Sequence, residues 1–487
     1  MKKHDKGLNA WQLTMMAMGS VIGGSFFLGL AVAIQAAGPA ILISFILSGI
    51  LVYFILYALS EMTVANPDSG SFYTFTAQVF GPGSGFVVGW VYWTGMIFAM
   101  SSEATAVSIL IREWYPRVSI PLLGSAIIIG VTLLNLLGAD KLSKLESSLA
   151  LVKIFAVVAF IVIAFLLIVG AIRGVDAVGL GELATEPMMP GGIQSIAGSM
   201  LIVIFSYAGF EIIGLAASEA ENPNKTIPRA ILYTVISLVG LYILSTLVLL
   251  PLIATTELTE DVSPMVAALS KWGMEWAGSV INIILVTAIL STMLASMFGL
   301  GRMMRSIADE GHAPKWLVDR KDVPYRGILF SGLAMLLGLG AGLFFPRVYL
   351  FLISSGGYAT LFTYAAIVAT HIRFRKCNGC PPEGKCQMPG YPYTSWIALI
   401  SILIVIVSMP FISGQTSGLI AGIVMTILFC GIYYITKTRI TKNMSTVSKP
   451  YQAQFTNEFS EELTKCPKEV KSMKCQKEKN DDSDNQE

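Results

Sequence analysis

The stretch Gly19-Ser20-Val21-Ile22-Gly23-Gly24-Ser25 interrupts an apolar run that extends from Trp11 to Gln35. A run of that length crosses the roughly 30 Å hydrocarbon core of a bilayer only as a helix, because a spanning segment must satisfy its own backbone polar groups. Three glycines and two serines in the middle of it break that helix. A second apolar run, Ile193 to Ala217, has its own interruption at Phe205-Ser206-Tyr207-Ala208-Gly209-Phe210-Glu211. Each interrupted run opens a set of five. Broken helices at corresponding places in two halves point to inverted repeats that hold a substrate near the bilayer midplane.

The rest of the chain supports the membrane reading. Of 487 residues, 54% are hydrophobic and 13% charged, against about 25% charged in soluble domains. Beside the two broken runs, apolar blocks extend over Ile41 to Val64, Val87 to Arg112, Leu122 to Leu137, Leu149 to Ile172, Ala230 to Leu252, Met274 to Leu300, Ile328 to Phe345, Val348 to His371, Trp396 to Phe411 and Leu419 to Ile435. The expected fold class is therefore an all-α polytopic membrane protein of about twelve transmembrane helices.

Lysine and arginine set the orientation. With the N-terminus inside, the inner segments hold 17 of them and the outer loops 5, namely Arg112, Arg117, Arg173, Lys271 and Arg347. This asymmetry places both termini in the cytoplasm. The apolar stretch after Lys2, Lys3 and Lys6 is too long for a signal-peptide core, so it is kept as the first span. The organisation expected is a cytoplasmic N-terminus (1–10), a first repeat (11–172), a second repeat (193–371), a cytoplasmic cysteine-containing loop (372–395), two further helices (396–436) and a tail (437–487). That tail has ten basic and nine acidic residues and few apolar ones, so disorder is expected there. The net charge of +2 is scattered, and no nucleic-acid partner is expected.

Physics gives the breaks a use. Where a helix unwinds, amides and carbonyls lose their internal partners, and the half-helix ends add partial charges of either sign. A carboxylate accepts from the freed amides while an ammonium donates to the freed carbonyls, so a zwitterionic amino acid answers both sets. The plainer alternative is that these glycines only allow close helix packing.

Ionisable residues inside the bilayer cost at least about 2.5 kcal/mol each, which makes them functional candidates. Four stand out: Glu103, Lys153, Glu211 and Glu61. Glu61 lies close enough to the inner interface to be solvated or paired. Lys153 sits among Ala150, Leu151, Ile154 and Phe155, where a lysine removed from water is able to exchange its proton. Snorkelling to the end of its helix is the alternative.

The stretches GSVIGGSFFLG, NPDSGSFYTF, FGPGSGFVVGWVYW, SSEATA, LVKI, FSYAGFEIIGLAASEAENPNKTIPRAI and GRMMRSIADEGHAPKWL occur in that order. Together they closely resemble the amino acid transporter family within the amino acid, polyamine and organocation permeases, over about residues 10 to 435. The resemblance implies a five-plus-five inverted-repeat core with two additional helices, and import of an amino acid across the cell membrane by proton symport. It implies that backbone around Ser20, Val21, Ile22, Gly23 and Gly24 holds the substrate carboxylate. Carbonyls of Phe205, Ser206 and Tyr207 would meet the ammonium, with Tyr207 and Phe210 lining or gating the pocket. Lys153 falls where a lysine of proton-coupled relatives replaces a sodium ion, and Glu103 and Glu211 match acidic residues of the third and sixth helices; these three are the proton-coupling candidates. The chain departs from the family at Ser291-Thr292-Met293-Leu294-Ala295-Ser296, where an Asn is frequent, and at Ser20, where many relatives have Gly.

Other chemistry finds little footing. No phosphate-loop motif, His-Glu-x-x-His or Gly-x-Ser-x-Gly occurs, so neither ATP-driven pumping nor an enzyme is expected, and no cofactor. Cys377, Cys380 and Cys386 with His371 are weak zinc candidates, with free loop thiols the alternative. An exchanger, a carrier of polyamines or other amines, and an amino acid sensor without net transport remain competing functions. The partners expected are the amino acid, protons and the lipid bilayer; the sequence leaves the oligomeric state open.

Overall fold

The computed structural model describes residues 8–65, 72–137, 139–215, 220–260, 262–319, 323–378, 388–412 and 414–447. Among these it is helical throughout, with a single isolated bridge between Leu8 and Ala220. The first span is a broken helix made of α1 (Ala10–Val21), α2 (Gly24–Phe27) and α3 (Gly29–Ala37). It is followed by α4 (Ile41–Ala65), α5 (Phe72–Phe80), α6 (Pro82–Arg112), α7 (Ile120–Asn135) and α8 (Ala139–Ile168). The second broken span is α9 (Gly192–Ser206) and α10 (Ile212–Leu215), and after it come α11 (Pro223–Leu249), α12 (Pro264–Lys271) and α13 (Glu275–Asp309). The chain ends in α14 (Tyr325–Gly342), α15 (Val348–Asn378), α16 (Tyr393–Ser408) and α17 (Thr416–Val447). Nine segments of the described residues are long and apolar enough to cross a membrane, and α7 and α9 are shorter apolar helices.

The helices pack through small residues, as expected where lipid supplies no hydrophobic drive between them. Gly95 of α6 lies against Ala359 of α15, and a Cβ at Gly356 would come within 3.1 Å of the Gly95 carbonyl oxygen. Hydroxyls add cross-links: Ser101 donates to the Met335 carbonyl at 2.9 Å, and Trp93 Nε1 donates to Ser331 Oγ at 3.2 Å. By contrast α16 and α17 are little buried, and Ile400, Leu403, Val424 and Ile427 point outward. Such apolar outer faces suit lipid contact.

Several boundaries differ from the sequence reading. The tail was expected from residue 437, yet α17 continues to Val447, because a helix once formed adds backbone bonds cheaply beyond its apolar part. Residues 448–487 lie outside the described residues. Likewise α15 extends to Asn378 rather than ending at His371, with Arg375 and Lys376 in a last turn that favours cations. The short helices α5 and α12 were not foreseen; both are too brief to register as apolar blocks.

Of the two states open to Glu61, solvated or paired, the structure shows the second: it is 1% exposed, forms an ion pair with Arg375, lies 3.3 Å from His371 Nε2 and accepts the Met388 amide at 2.9 Å. A carboxylate out of water needs such partners. The knot ties α4 to α15 at the end of the bundle that carries the N-terminus.

At that same end α5 docks on the end of α13. Thr74 Oγ1 donates to Glu310 Oε1 at 3.1 Å, and the Tyr73 and Ser306 hydroxyls lie 2.6 Å apart. Burial pushes the Glu310 carboxyl up to about 7, against hydrogen bonds from Thr74 and Tyr73 that pull it down. A carboxyl whose value rises on folding is penalised when charged. Its stability contribution is therefore best below about pH 4.5 and is lost as pH climbs towards 7. Glu310→Gln removes that titration, so the Tm of the detergent-solubilised protein should fall less between mildly acidic and mildly alkaline pH than for wild type. An equal fall in both proteins would refute the assignment.

Candidate functional site

The first break begins where α1 stops at Val21. Ile22 is extended (φ −72°, ψ 102°), as is Gly23 (φ −144°, ψ −166°), before the helix resumes at Gly24. The turn leaves carbonyls of α1 facing one way and amides of α2 the other. Side chains from neighbouring helices answer both. Glu103 of α6 takes the amides: Gly24 N–H donates to Oε2 at 2.7 Å and Ser25 N–H to Oε1 at 3.2 Å. Lys153 of α8 takes the other side, Nζ donating to the Gly19 carbonyl at 2.8 Å and to Thr292 Oγ1 at 2.7 Å. The Thr292 hydroxyl in turn reaches the Ile22 carbonyl at 3.1 Å. Anion at a helix start and cation at a helix end match the partial charges of the two half-helices.

Both charges are out of water, Glu103 at 4% and Lys153 at 1% exposure. Lys153 thus does not snorkel. The glycines are required by this approach: a Cβ on Gly24 would stand 2.5 Å from Glu103 Oε2, and one on Gly23 would meet Glu103 Oε1 at 3.3 Å and Thr292 at 3.4 Å.

The second break repeats the solution with its own carboxylate. After α9 stops at Ser206, the chain turns through Gly209 at φ +108°, a conformation that favours glycine. Glu211 folds back so that Gly209 N–H donates to its Oε2 at 2.7 Å, while the Tyr364 hydroxyl donates to Oε1 at 2.5 Å. The two breaks touch. Ser20 Oγ donates to the Gly209 carbonyl at 3.0 Å, and a Cβ on Gly209 would lie 2.9 Å from the Ser20 carbonyl oxygen.

Aromatic rings enclose the junction. Phe26 stacks on Tyr242 with centroids 3.9 Å apart, Tyr207 packs against Tyr242 and Phe45, and Phe210 lies 5.2 Å from Tyr364. The structure therefore brings Ser20, Val21, Ile22, Gly23 and Gly24 together with Glu103, Lys153, Tyr207, Phe210 and Glu211. Two of the three carbonyls expected to meet an ammonium already have donors: Phe205 accepts from the Ala208 amide at 3.0 Å, and Ser206 from the Tyr242 hydroxyl at 3.1 Å. An ammonium there must share or displace them.

Thr292, Tyr242, Tyr364 and Tyr349, whose hydroxyl donates to the Gly24 carbonyl at 3.3 Å, were missed as contributors. Nothing in an apolar run distinguishes such a hydroxyl from a packing residue until helix rotation is known. Cys377 is disulfide-bonded, against the expectation of a free thiol, and a sulfur so bonded is no thiolate ligand. Cys380 and Cys386 lie outside the described residues.

The bundle of apolar helices defines a multi-pass membrane protein. The family model described as amino acid permease matches residues 12–447, and the chain belongs to that family. Its members are permeases, transporters rather than enzymes. The chain is 31% identical over 431 residues to a gamma-aminobutyric acid permease of Bacillus subtilis (strain 168), covering 86% of this chain and 92% of the relative. It is 31% identical over 433 residues to a gamma-aminobutyric acid permease of Escherichia coli (strain K12), covering 86% and 93%. It is 30% identical over 443 residues to an aromatic amino acid transport protein of Escherichia coli (strain K12), covering 90% and 96%.

Filling the first break should disable it. Gly24→Ala drives a methyl group into the Glu103 carboxylate, and Gly23→Leu fills the space between Glu103 and Thr292. Losing one charge-assisted hydrogen bond corresponds to roughly tenfold or more in affinity. Each variant should bind amino acid at least about tenfold more weakly in equilibrium dialysis; unchanged affinity in both would remove the break from the binding site.

Proposed function

We propose that this permease imports an amino acid across the cell membrane by proton symport, with both termini in the cytoplasm and two five-helix inverted repeats forming its core. The observation that carries the reading is the Glu103 carboxylate seated on the Gly24 and Ser25 amides. A substrate carboxylate would seek these same donors at the start of a half-helix. Two carboxylates sharing one buried site cannot both keep their charge. The entering anion is therefore accommodated when Glu103 takes up a proton, which links substrate binding to protonation.

Lys153 supports the same scheme. Its ammonium holds the Gly19 carbonyl and Thr292, so it acts as a fixed monovalent cation at the end of α1. Release of its proton would leave two N–H donors but remove the positive charge that the carbonyl end of α1 favours, and so weaken the hold of α8 on α1. Glu211 performs the matching service in the second break, where it fills the Gly209 amide. The relatives named for gamma-aminobutyric acid and for aromatic amino acids share one demand with this reading: their named substrates carry a carboxylate and an amine, the groups that the two breaks are suited to meet.

Uptake of labelled amino acid into proteoliposomes should rise with an inward proton gradient and collapse with a protonophore. Transport that ignores both and needs an internal counter-substrate would establish an exchanger instead. Two substitutions examine the coupling. Glu103→Gln mimics the protonated acid and should keep counterflow while losing accumulation against a gradient. Lys153→Ala should also lose accumulation, and retention of uphill uptake by both variants would exclude these residues as the coupling pair.

A further inference from the structure

At the end of the bundle opposite the N-terminus, the structure holds a cavity of about 380 Å³ lined by Gln35, Thr105, Thr259, Glu260, Arg347 and Tyr349 among others. Its volume falls within the range of small-molecule sites, roughly 300–1,000 Å³. Two features set it apart from an ordinary surface crevice. Its rim carries one cation and one anion, Arg347 Nε lying 3.4 Å from Glu260 Oε1. Its wall includes Tyr349, whose hydroxyl donates to the carbonyl of Gly24, the residue whose amide holds Glu103.

We propose that this cavity is a second binding site for the transported zwitterion, occupied on the way to the helix breaks; the inference rests on the transport reading above. Arg347 takes the carboxylate, for which its forked donors are suited. Glu260 takes the ammonium. The opening step is an exchange of partners: the two side chains release each other and each engages the opposite group of the amino acid, so no charge is left alone. The Arg347 side chain is 61% exposed and that of Glu260 18%, and an ion pair so open to water contributes little and separates readily.

The path onward follows from the lining. Thr105 stands one turn from Ser101 on α6, the helix that also bears Glu103, and its hydroxyl donates back to the Ser101 carbonyl at 2.9 Å. Gln35 ends the apolar run that contains the first break, and its side chain donates to the Leu258 carbonyl, fixing the loop before Glu260 against α3. A ligand in the cavity thus lies between the two elements that form the carboxylate cradle. Tyr349 separates it from Gly24 by a single hydrogen bond.

The test uses the full chain in proteoliposomes. Wild type is first assayed for uptake of each labelled standard amino acid and of labelled gamma-aminobutyric acid, and the best transported serves for the kinetics. Arg347→Gln and Glu260→Gln should each raise the uptake KM by roughly tenfold, the loss that one charged hydrogen-bond partner corresponds to, with kcat essentially kept. Arg347→Lys, which retains the cation, should restore most of the affinity. An unchanged KM in both Gln variants overturns the site. So does a lowered KM with a raised kcat, which would mark the pair as a simple lock on the cavity mouth. If wild type takes up none of the amino acids, the transport reading fails and this inference fails with it, whereas uptake with KM insensitive to both residues sinks the second site alone.

Discussion

Everything at the centre of this molecule depends on backbone groups that a membrane helix gives up when it unwinds. An amide or carbonyl without a partner in a medium that excludes water costs several kcal/mol. The two breaks place a handful of such groups side by side, and the chain answers them with charge: Glu103 at the Gly24 and Ser25 amides, Lys153 at the Gly19 carbonyl, Glu211 at the Gly209 amide. These side chains come from α6, α8 and the second break itself, so the breaks tie helices together that otherwise meet through small residues. On the proposed transport scheme a substrate with the same chemistry as the side chains takes their places, so that stability and binding would draw on one set of donors.

The sequence made the membrane architecture legible because apolar blocks are long and the period of burial does not matter for recognising them. The broken helices were equally legible, since Gly19, Gly23, Gly24 and Gly209 stand out against aliphatic neighbours. Glu103, Lys153 and Glu211 were singled out by the cost of charge in the bilayer, and all three lie at the breaks. What that cost does not reveal is the partner. Nothing in the sequence placed the Glu103 carboxylate on the amides expected to await the substrate, because the rotation of α6 about its axis is invisible in a run apolar on every face. Thr292 escaped for the same reason, and so did Tyr242 and Tyr364.

Glu61 teaches the converse. Position near the end of an apolar block leaves both water and a partner open to it, and Arg375 and His371 on α15 are the groups that reach it. Those two residues sat at and beyond the expected end of their span. The helix runs on to Asn378, and only a helix of that length delivers Arg375 to the buried carboxylate. The choice between water and a partner thus turned on where that helix ends.

The contact between Ser20 and Gly209 bears on how such a protein changes its cargo over evolutionary time. The closest approach of the two breaks is made by main chain and one hydroxyl, and no side chain fits at Gly209. On the proposed transport scheme, recognition written in backbone is blind to mutation: it can be destroyed but not retuned. Diversity of cargo would then arise at the surrounding rings, such as Phe26, Tyr207 and Phe210, rather than at Thr292, whose hydroxyl is held between Lys153 and the Ile22 carbonyl. A family able to serve both small and aromatic substrates from one scaffold is the expected product of that division between an immutable handle and a replaceable lining.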